Sequence, residues 1–235
     1  MDNYHCYFNL RNVNEEYYIN YKTPRYLLEV LPENKGASIL DIGCGFGSLI
    51  RELIKAGYSS VKGLDLSDHA IDFCLKQGFD VQKSSIAEYS EASKHKFDFI
   101  IMSHVLEHLK KSEIINTLKQ IRGNMLKESG KFCLMVPNAQ SNTGSYWAYE
   151  DFTHTTLFTS GSLLYVLKAA GYKNIKFLDR NGTDNSSFIS KLFKNIFLPF
   201  YRAKKRFWNK ITSSVYHAQS PEIFTFELKA LAVND

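Results

Sequence analysis

The chain has 235 residues, of which 44% are hydrophobic and 23% charged. That suits one α/β domain with additions and excludes a disordered or fibrous protein. Its net charge of +5 gathers at Lys191, Lys194, 202–206 and Lys210 while the rest is nearly balanced, so no nucleic-acid partner is expected. Cys6, Cys44, Cys74 and Cys133 show no paired spacing, which points to a reducing compartment without disulfides. The N-terminus has no charged-then-apolar signal layout and no apolar run reaches membrane-spanning length. The expected location is cytoplasmic, at most peripheral to the inner face of a membrane.

Residues 1–37 read as an N-terminal helical cap in which Pro24 opens a helix that closes at Pro32. Residues 38–47, Ser-Ile-Leu-Asp-Ile-Gly-Cys-Gly-Phe-Gly, form a buried strand running into a turn with glycines at alternate positions. Such a turn bends sharply and brings bare peptide groups close to a ligand. An amphipathic helix over 48–56 follows, with Leu49, Ile50 and Leu53 inward. A second strand, 61–66, ends in an acid, and Ser67 or Asp68 caps a helix facing inward with Ala70, Ile71, Cys74 and Leu75. Residues 79–83 give a third strand. Residues 97–102 give a fourth, with the near-continuous apolar run of a covered parallel strand.

Ile114, Leu118, Ile121 and Leu126 set the next helix, which Ser129-Gly130 ends, and 131–136 is a fifth strand. Residues 138–158 read as irregular. Ser160 or Ser162 then caps a helix with Leu163, Leu164, Val166, Leu167 and Ala170 inward. Segments 173–178 and 223–233 are the final strands, separated by an aromatic and basic insertion over 180–221. The alternation predicts a Rossmann-like, doubly wound α/β fold: a mainly parallel seven-stranded sheet with an antiparallel edge strand and helices on both faces. The domain divides into the cap 1–37, a cofactor-binding core 38–179, the insertion 180–221 and a last strand within 222–235.

The glycine spacing is one residue short of the dinucleotide fingerprint Gly-x-Gly-x-x-Gly. A pyrophosphate needs a helix N-terminus open to a dianion, and Asp41 at the strand end works against that. It favours a cationic or hydroxyl-bearing ligand. Residues 39–47 resemble motif I of the class I S-adenosylmethionine-dependent methyltransferases, 97–108 resemble motif IV, and Asp65 is similar to the family's acid on the ribose hydroxyls. The match runs in order from about residue 38 to 136.

The resemblance implies S-adenosylmethionine as cofactor, with contacts at Asp41, Gly43, Cys44 and Gly45 on the turn and at Asp65 and Leu66 beside the ribose. Ser85 and Ile86 lie beside the adenine, where the family often places an acid and this sequence has Ser84-Ser85. His104 and Leu106 line the methionine part, and Tyr17, Tyr18, Tyr21 and Arg25 close over the cofactor.

The segment 149–159 resembles the D-x-T-H…F stretch of methyltransferases found among polysaccharide and small-metabolite enzymes. It implies O-methylation of a sugar or other small molecule, with His154 as the base and Asp151 holding its tautomer. His104-Val105-Leu106-Glu107-His108 matches the zinc pattern H-x-x-E-H, but it begins at a strand end rather than in mid-helix, so no metal is expected. Phe188, Leu192, Ile196 and Phe200 recur at helical spacing among basic residues. Such a helix serves as a lid or dimer element packing its stripe on the domain, or as a peripheral membrane contact over 188–210. Pro199 favours the first. The other readings are a nicotinamide-dependent oxidoreductase and a non-catalytic membrane-surface protein.

Overall fold

A computed structural model describes Glu16, residues 20–184 and residues 186–235. Tyr17 and Tyr18, expected over the cofactor, lie outside these residues, as does Cys6. In chain order the elements are α1 (Arg25–Leu28), β1 (Ser38–Ile42), α2 (Ser48–Lys55), β2 (Ser60–Asp65), α3 (Asp68–Lys76), β3 (Val81–Lys83), α4 (Ile86–Ala92) and β4 (Phe97–Ser103). They continue with α5 (Ile114–Gln120), β5 (Leu126–Pro137), α6 (Gly144–Glu150), α7 (Ser160–Ala169), β6 (Asn174–Phe177), α8 (Phe188–Ile211) and β7 (Glu227–Val233).

The strands form one sheet in the order β3-β2-β1-β4-β5-β7-β6. β7 runs antiparallel to both β5 and β6, so the edge strand β6 pairs antiparallel, and the other pairings are parallel. Alternation along the strands feeds a core on each face. Leu40, Ile42, Ile100 and Met102 pack beneath α4, α5 and α7; Ile39, Phe99 and Ile101 pack beneath α1, α2 and α3. The strand order reverses between β1 and β4, and a ligand crevice opens there at the carboxyl ends of the strands.

Several boundaries differ from the sequence reading. Leu126 opens β5 instead of closing the preceding helix, which ends in a π turn over Ile121–Met125. The Ser129-Gly130 break is an irregularity inside β5, where the register against β4 shifts and Ser129 takes φ 59°. α4 is an additional helix, nucleated by a reciprocal capping box between Ser85 and Glu88. α6 occupies part of the stretch read as irregular, and Thr159, not Ser160 or Ser162, caps α7.

α8 departs most from its expected packing. Lys194 donates to the Gly182 carbonyl and Ser186 Oγ, Tyr201 to Asn142 and Arg202 to Asn181, while Arg206 pairs with Glu222. These polar contacts moor the helix. Phe188, Ile189, Leu192, Phe193, Ile196, Phe197, Phe200, Phe207, Trp208 and Ile211 all remain exposed, so the domain does not cover the stripe. Among the described residues, no helix is long and apolar enough to cross a membrane.

The turn after β1 depends on a missing side chain. Gly43 sits at φ +75°, and a Cβ there would meet Val105 Cγ2 at 2.2 Å. Gly57 has a comparable φ of +91°, and a Cβ there would meet nothing within 4 Å. Both Gly→Ala changes incur the left-handed penalty of about 1–2 kcal/mol, but only Gly43→Ala adds an overpacking cost of about 1–3 kcal/mol. Urea denaturation is expected to show Gly43→Ala as clearly the more destabilised variant.

Candidate active site

The glycine turn uses its own donors internally. Gly43 and Cys44 donate their N–H groups to the Leu64 carbonyl at 2.7 and 3.0 Å, and Gly45 donates to Asp65 Oδ2 at 2.8 Å. Ser67 N–H donates to the other oxygen, Asp65 Oδ1, at 2.8 Å. Burial raises the Asp65 pKa, and these N–H bonds oppose the rise. Asp41, 4% exposed, is pushed up to about 7 by burial and by the charge of Asp65. Partly buried Tyr21 stands near it, its hydroxyl driven above the usual tyrosine range by burial and by the charges of Asp41 and Glu227. With these N–H groups taken, the crevice presents carboxylates. A cation or a hydroxyl donor suits that set better than a pyrophosphate does.

The chain leaves β4 through His104, held at φ 55°, and then Val105, which touches the glycine turn. His104 Nδ1 lies 3.2 Å from Glu107 Oε1 and its Nε2 lies 2.9 Å from Glu227 Oε1. Burial works against charge on His104, but these hydrogen bonds and the two carboxylate charges outweigh it and push the pKa up to about 10. His104 is therefore an imidazolium at neutral pH. Behind it, Lys229 pairs with Asp179 at 2.8 Å and lies over the Tyr26 ring at 4.6 Å, tying β7 to the N-terminal segment.

Glu107 is fully buried and faces the loop that carries Asp151 and His154. His154 Nε2 lies 3.9 Å from Glu107 Oε1 and 3.8 Å from Asp151 Oδ2, and the His154 ring lies 4.7 Å from that of His108. Thr155 N–H donates to the Glu107 carbonyl at 2.8 Å, locking this loop onto the segment after β4. His108 titrates below the ordinary histidine value, with burial the largest cause and His154 adding to it against the opposing charge of Glu107.

The family model described as "Methyltransferase domain" matches residues 15–176, well over half of the chain. The chain belongs to this methyltransferase family. It is 27% identical over 146 residues to an N-methyltransferase 4 of Papaver somniferum, covering 57% of this chain and 40% of that protein. It is 28% identical over 82 residues to a ubiquinone biosynthesis O-methyltransferase of Neisseria meningitidis, covering 32% and 34%. The chain thus spans less than half the length of either relative. The crystal structure of a SAM-dependent methyltransferase from Archaeoglobus fulgidus shares its fold at 21% identity and a TM-score of 0.66, covering 99% of this chain and 100% of that one.

S-adenosylmethionine is the methyl donor of this family, and the donor set fits it. Asp65 accepts from Gly45 on Oδ2 and Ser67 on Oδ1, with the Leu66 N–H also bonding to it, and its four lone-pair positions leave acceptor capacity for a ribose diol. Buried Asp41 suits the positive end of the cofactor, and His104 is an imidazolium next to Val105 at the turn. The Asp41 and Asp65 carboxylates at the turn work against a pyrophosphate and so against the nicotinamide alternative.

Other assignments shift. The Cys44 side chain points inward, where its Sγ would lie 2.7 Å from a Cβ on Gly63, so only its backbone borders the crevice. Leu106 is fully buried in the core under the crevice and supports its floor instead of lining it. Ile86 is a core residue, the Ser85 side chain is engaged in capping α4, and Leu66 stands exposed beside Asp65. Arg25 forms a surface pair with Glu29 rather than closing over the crevice. Asp151 does not hold the tautomer of His154. That ring donates from Nδ1 to the Trp147 carbonyl at 2.7 Å, while Asp151 accepts from Thr153. Glu107 and His108 join the site as partners of His154, a role the sequence signals only through the H-x-x-E-H match.

A cationic ligand binds the ionised form of Asp41, whose pKa is raised to about 7. Affinity for S-adenosylmethionine is therefore expected to rise about tenfold from about pH 6 to about pH 8, as the ionised fraction grows, and to level off above that. Calorimetry across this range, with Asp41→Asn flattening the profile, checks the sign and the source.

Proposed function

We propose that this domain transfers the methyl group of S-adenosylmethionine to an oxygen of a small-molecule acceptor, with a sugar borne at an anionic lipid surface as the acceptor class. The observation that carries the reading is the adjacency of two sites. Val105 packs on Gly43 of the cofactor turn, and two residues later Glu107 enters the acid–histidine cluster with His154 and Asp151. The bound cofactor supplies a methyl group already activated on a sulfonium. The chain's own task is to position the acceptor and to take up its proton, because an alcohol is a poor nucleophile until that proton leaves. The cluster supplies proton acceptors for this step at His154 Nε2 and the Glu107 and Asp151 carboxylates. The O-methyltransferase named among the relatives supports oxygen as the receiving atom. The D-x-T-H resemblance around Asp151 and His154 supports a sugar.

The lipid surface is supported by α8. Its exposed aromatic and aliphatic stripe accompanies Lys191, Lys204, Lys205 and Lys210, and each basic residue near an anionic surface contributes about 1 kcal/mol. Cytoplasmic placement at the inner face of a membrane fits this arrangement.

The direct test of methyl transfer is incubation with methyl-labelled donor and a panel of sugars, phenols and amines. Label is expected in a hydroxyl-bearing acceptor, with Asp65→Ala lowering the rate through weaker donor binding. Label in amines alone would overturn the oxygen assignment. For the surface, co-sedimentation with phosphatidylglycerol vesicles is expected, with little binding to phosphatidylcholine and loss in a Phe193→Ser, Phe197→Ser variant. Vesicle-independent dimerisation abolished by the same variant would replace the lipid with a second copy of the chain.

A further inference from the structure

We propose that Glu107, His108 and His154 bind a single divalent transition-metal cation, with Asp151 as an additional donor. The three ligand atoms all lie within 4.8 Å of one another, and the sequence brings them from two separate segments. The role of the cation, though not its existence, rests on reading this cluster as the acceptor side of the methyltransferase site.

The protonation pattern carries the inference. The Trp147 carbonyl can only accept, so His154 Nδ1 bears the proton in the 2.7 Å contact, and in the neutral ring Nε2 is left with its lone pair. That lone pair faces Glu107 Oε1 at 3.9 Å and Asp151 Oδ2 at 3.8 Å. Thr153 spends its one hydroxyl proton on Asp151 Oδ1 at 2.6 Å, so His108 Nδ1 donates to Thr153 Oγ1 at 2.8 Å and its Nε2 also takes the acceptor form. The His154 imidazole thus has the arrangement of a metal ligand, its distal N–H fixed by an outer oxygen and its other nitrogen facing the carboxylates, and His108 brings a ring nitrogen into the same 4.8 Å cluster.

Glu107 is fully buried, and among the described residues no donor reaches its Oε2. A buried carboxylate oxygen without a donor is costly. A proton shared between His154 Nε2 and either carboxylate would draw the pair to about 2.8 Å, and both spacings are about an ångström wider. Metal–ligand bonds of about 2.1 Å set ligand atoms roughly 3–3.5 Å apart, so modest side-chain movement closes the set on an ion. Two imidazoles with one or two carboxylates select Zn²⁺, Mn²⁺, Fe²⁺ or Co²⁺ over Ca²⁺. The H-x-x-E-H match points at this segment but at the wrong pair. His104 is engaged by Glu107 and Glu227, and the partner of Glu107 and His108 is the distant His154. With the cation bound, His154 Nε2 is a ligand instead of a proton acceptor. The cation satisfies the Glu107 oxygen left without a donor, leaves coordination positions for an acceptor oxygen, and lowers the pKa of that hydroxyl so that its proton passes to solvent.

The test uses the full chain stripped with EDTA and titrated with Co²⁺ by visible absorption and with Zn²⁺ by calorimetry. One equivalent is expected to bind, with d–d bands that Zn²⁺ abolishes. His154→Asn and Glu107→Gln should remove binding, Thr153→Val should weaken it about tenfold or more, and the exposed-histidine control His217→Asn should leave it unchanged. If His154→Asn or Glu107→Gln fails to fold, Thr153→Val decides by the same titration. Absence of binding at millimolar cation, or binding indifferent to Glu107→Gln and Thr153→Val, overturns the site. A parallel titration with S-adenosylmethionine separates the two claims. Donor binding without cation binding removes only the cation site, and cation binding without donor binding removes only the methyl-transfer reading.

Discussion

The site depends on the close approach of Gly43 to Val105. A side chain at residue 43 would occupy the volume of Val105 Cγ2, so the turn after β1 and the segment after β4 interlock only with glycine there. This contact sits where the strand order reverses, between the neighbouring strands β1 and β4. It brings the cofactor turn within two residues of Glu107. His104 adopts a left-handed backbone immediately before Val105, and its ion pairs to Glu107 and Glu227 hold that conformation in place. Two left-handed residues, Gly43 and His104, thus flank the Val105 contact at this junction.

Charge is distributed with the same economy. The Gly43, Cys44 and Gly45 N–H groups are taken by Leu64 and Asp65, and the Asp41 and Asp65 carboxylates set a negative charge against an anion at this junction. Asp41, Asp65, Glu107 and Asp151 leave the crevice rich in acceptors, against the imidazolium of His104. An activated, positively charged donor and a hydroxyl-bearing acceptor both suit such a surface. Buried Lys229, paired with Asp179 and lying near Glu227, anchors β7 against the N-terminal segment. Removing one member of that buried pair would leave an uncompensated charge.

Much of this is legible in the chain because it is encoded locally. The apolar runs of β1 and β4, the alternate glycines, and the acids at 41 and 65 announce the sheet centre and the cofactor turn. The family match covers the same region. What escapes a reading of the sequence is either a competing local signal or a long-range meeting. The Ser85-x-x-Glu88 capping box is present in the chain, yet a ligand role for Ser85 competes with it and hides α4. Leu126 continues a helical spacing, but pairing with Phe97 draws it into β5. Asp151 stands three residues before His154, and sequence spacing does not reveal that Trp147 takes Nδ1 instead. Amphipathicity identifies α8, but its docking side is set by Asn142, Asn181 and Glu222, which are remote in sequence.

The central claim is that the turn at Gly43–Gly45 and its acids hold an S-adenosylmethionine-type cofactor and not a dinucleotide. Parallel calorimetric titrations of the full chain with S-adenosylmethionine and with NAD test this most directly. Saturable binding of one equivalent of S-adenosylmethionine, with no heat from NAD at the same concentrations, is the predicted result. Saturable NAD binding, or no S-adenosylmethionine binding at millimolar concentration, would contradict the account.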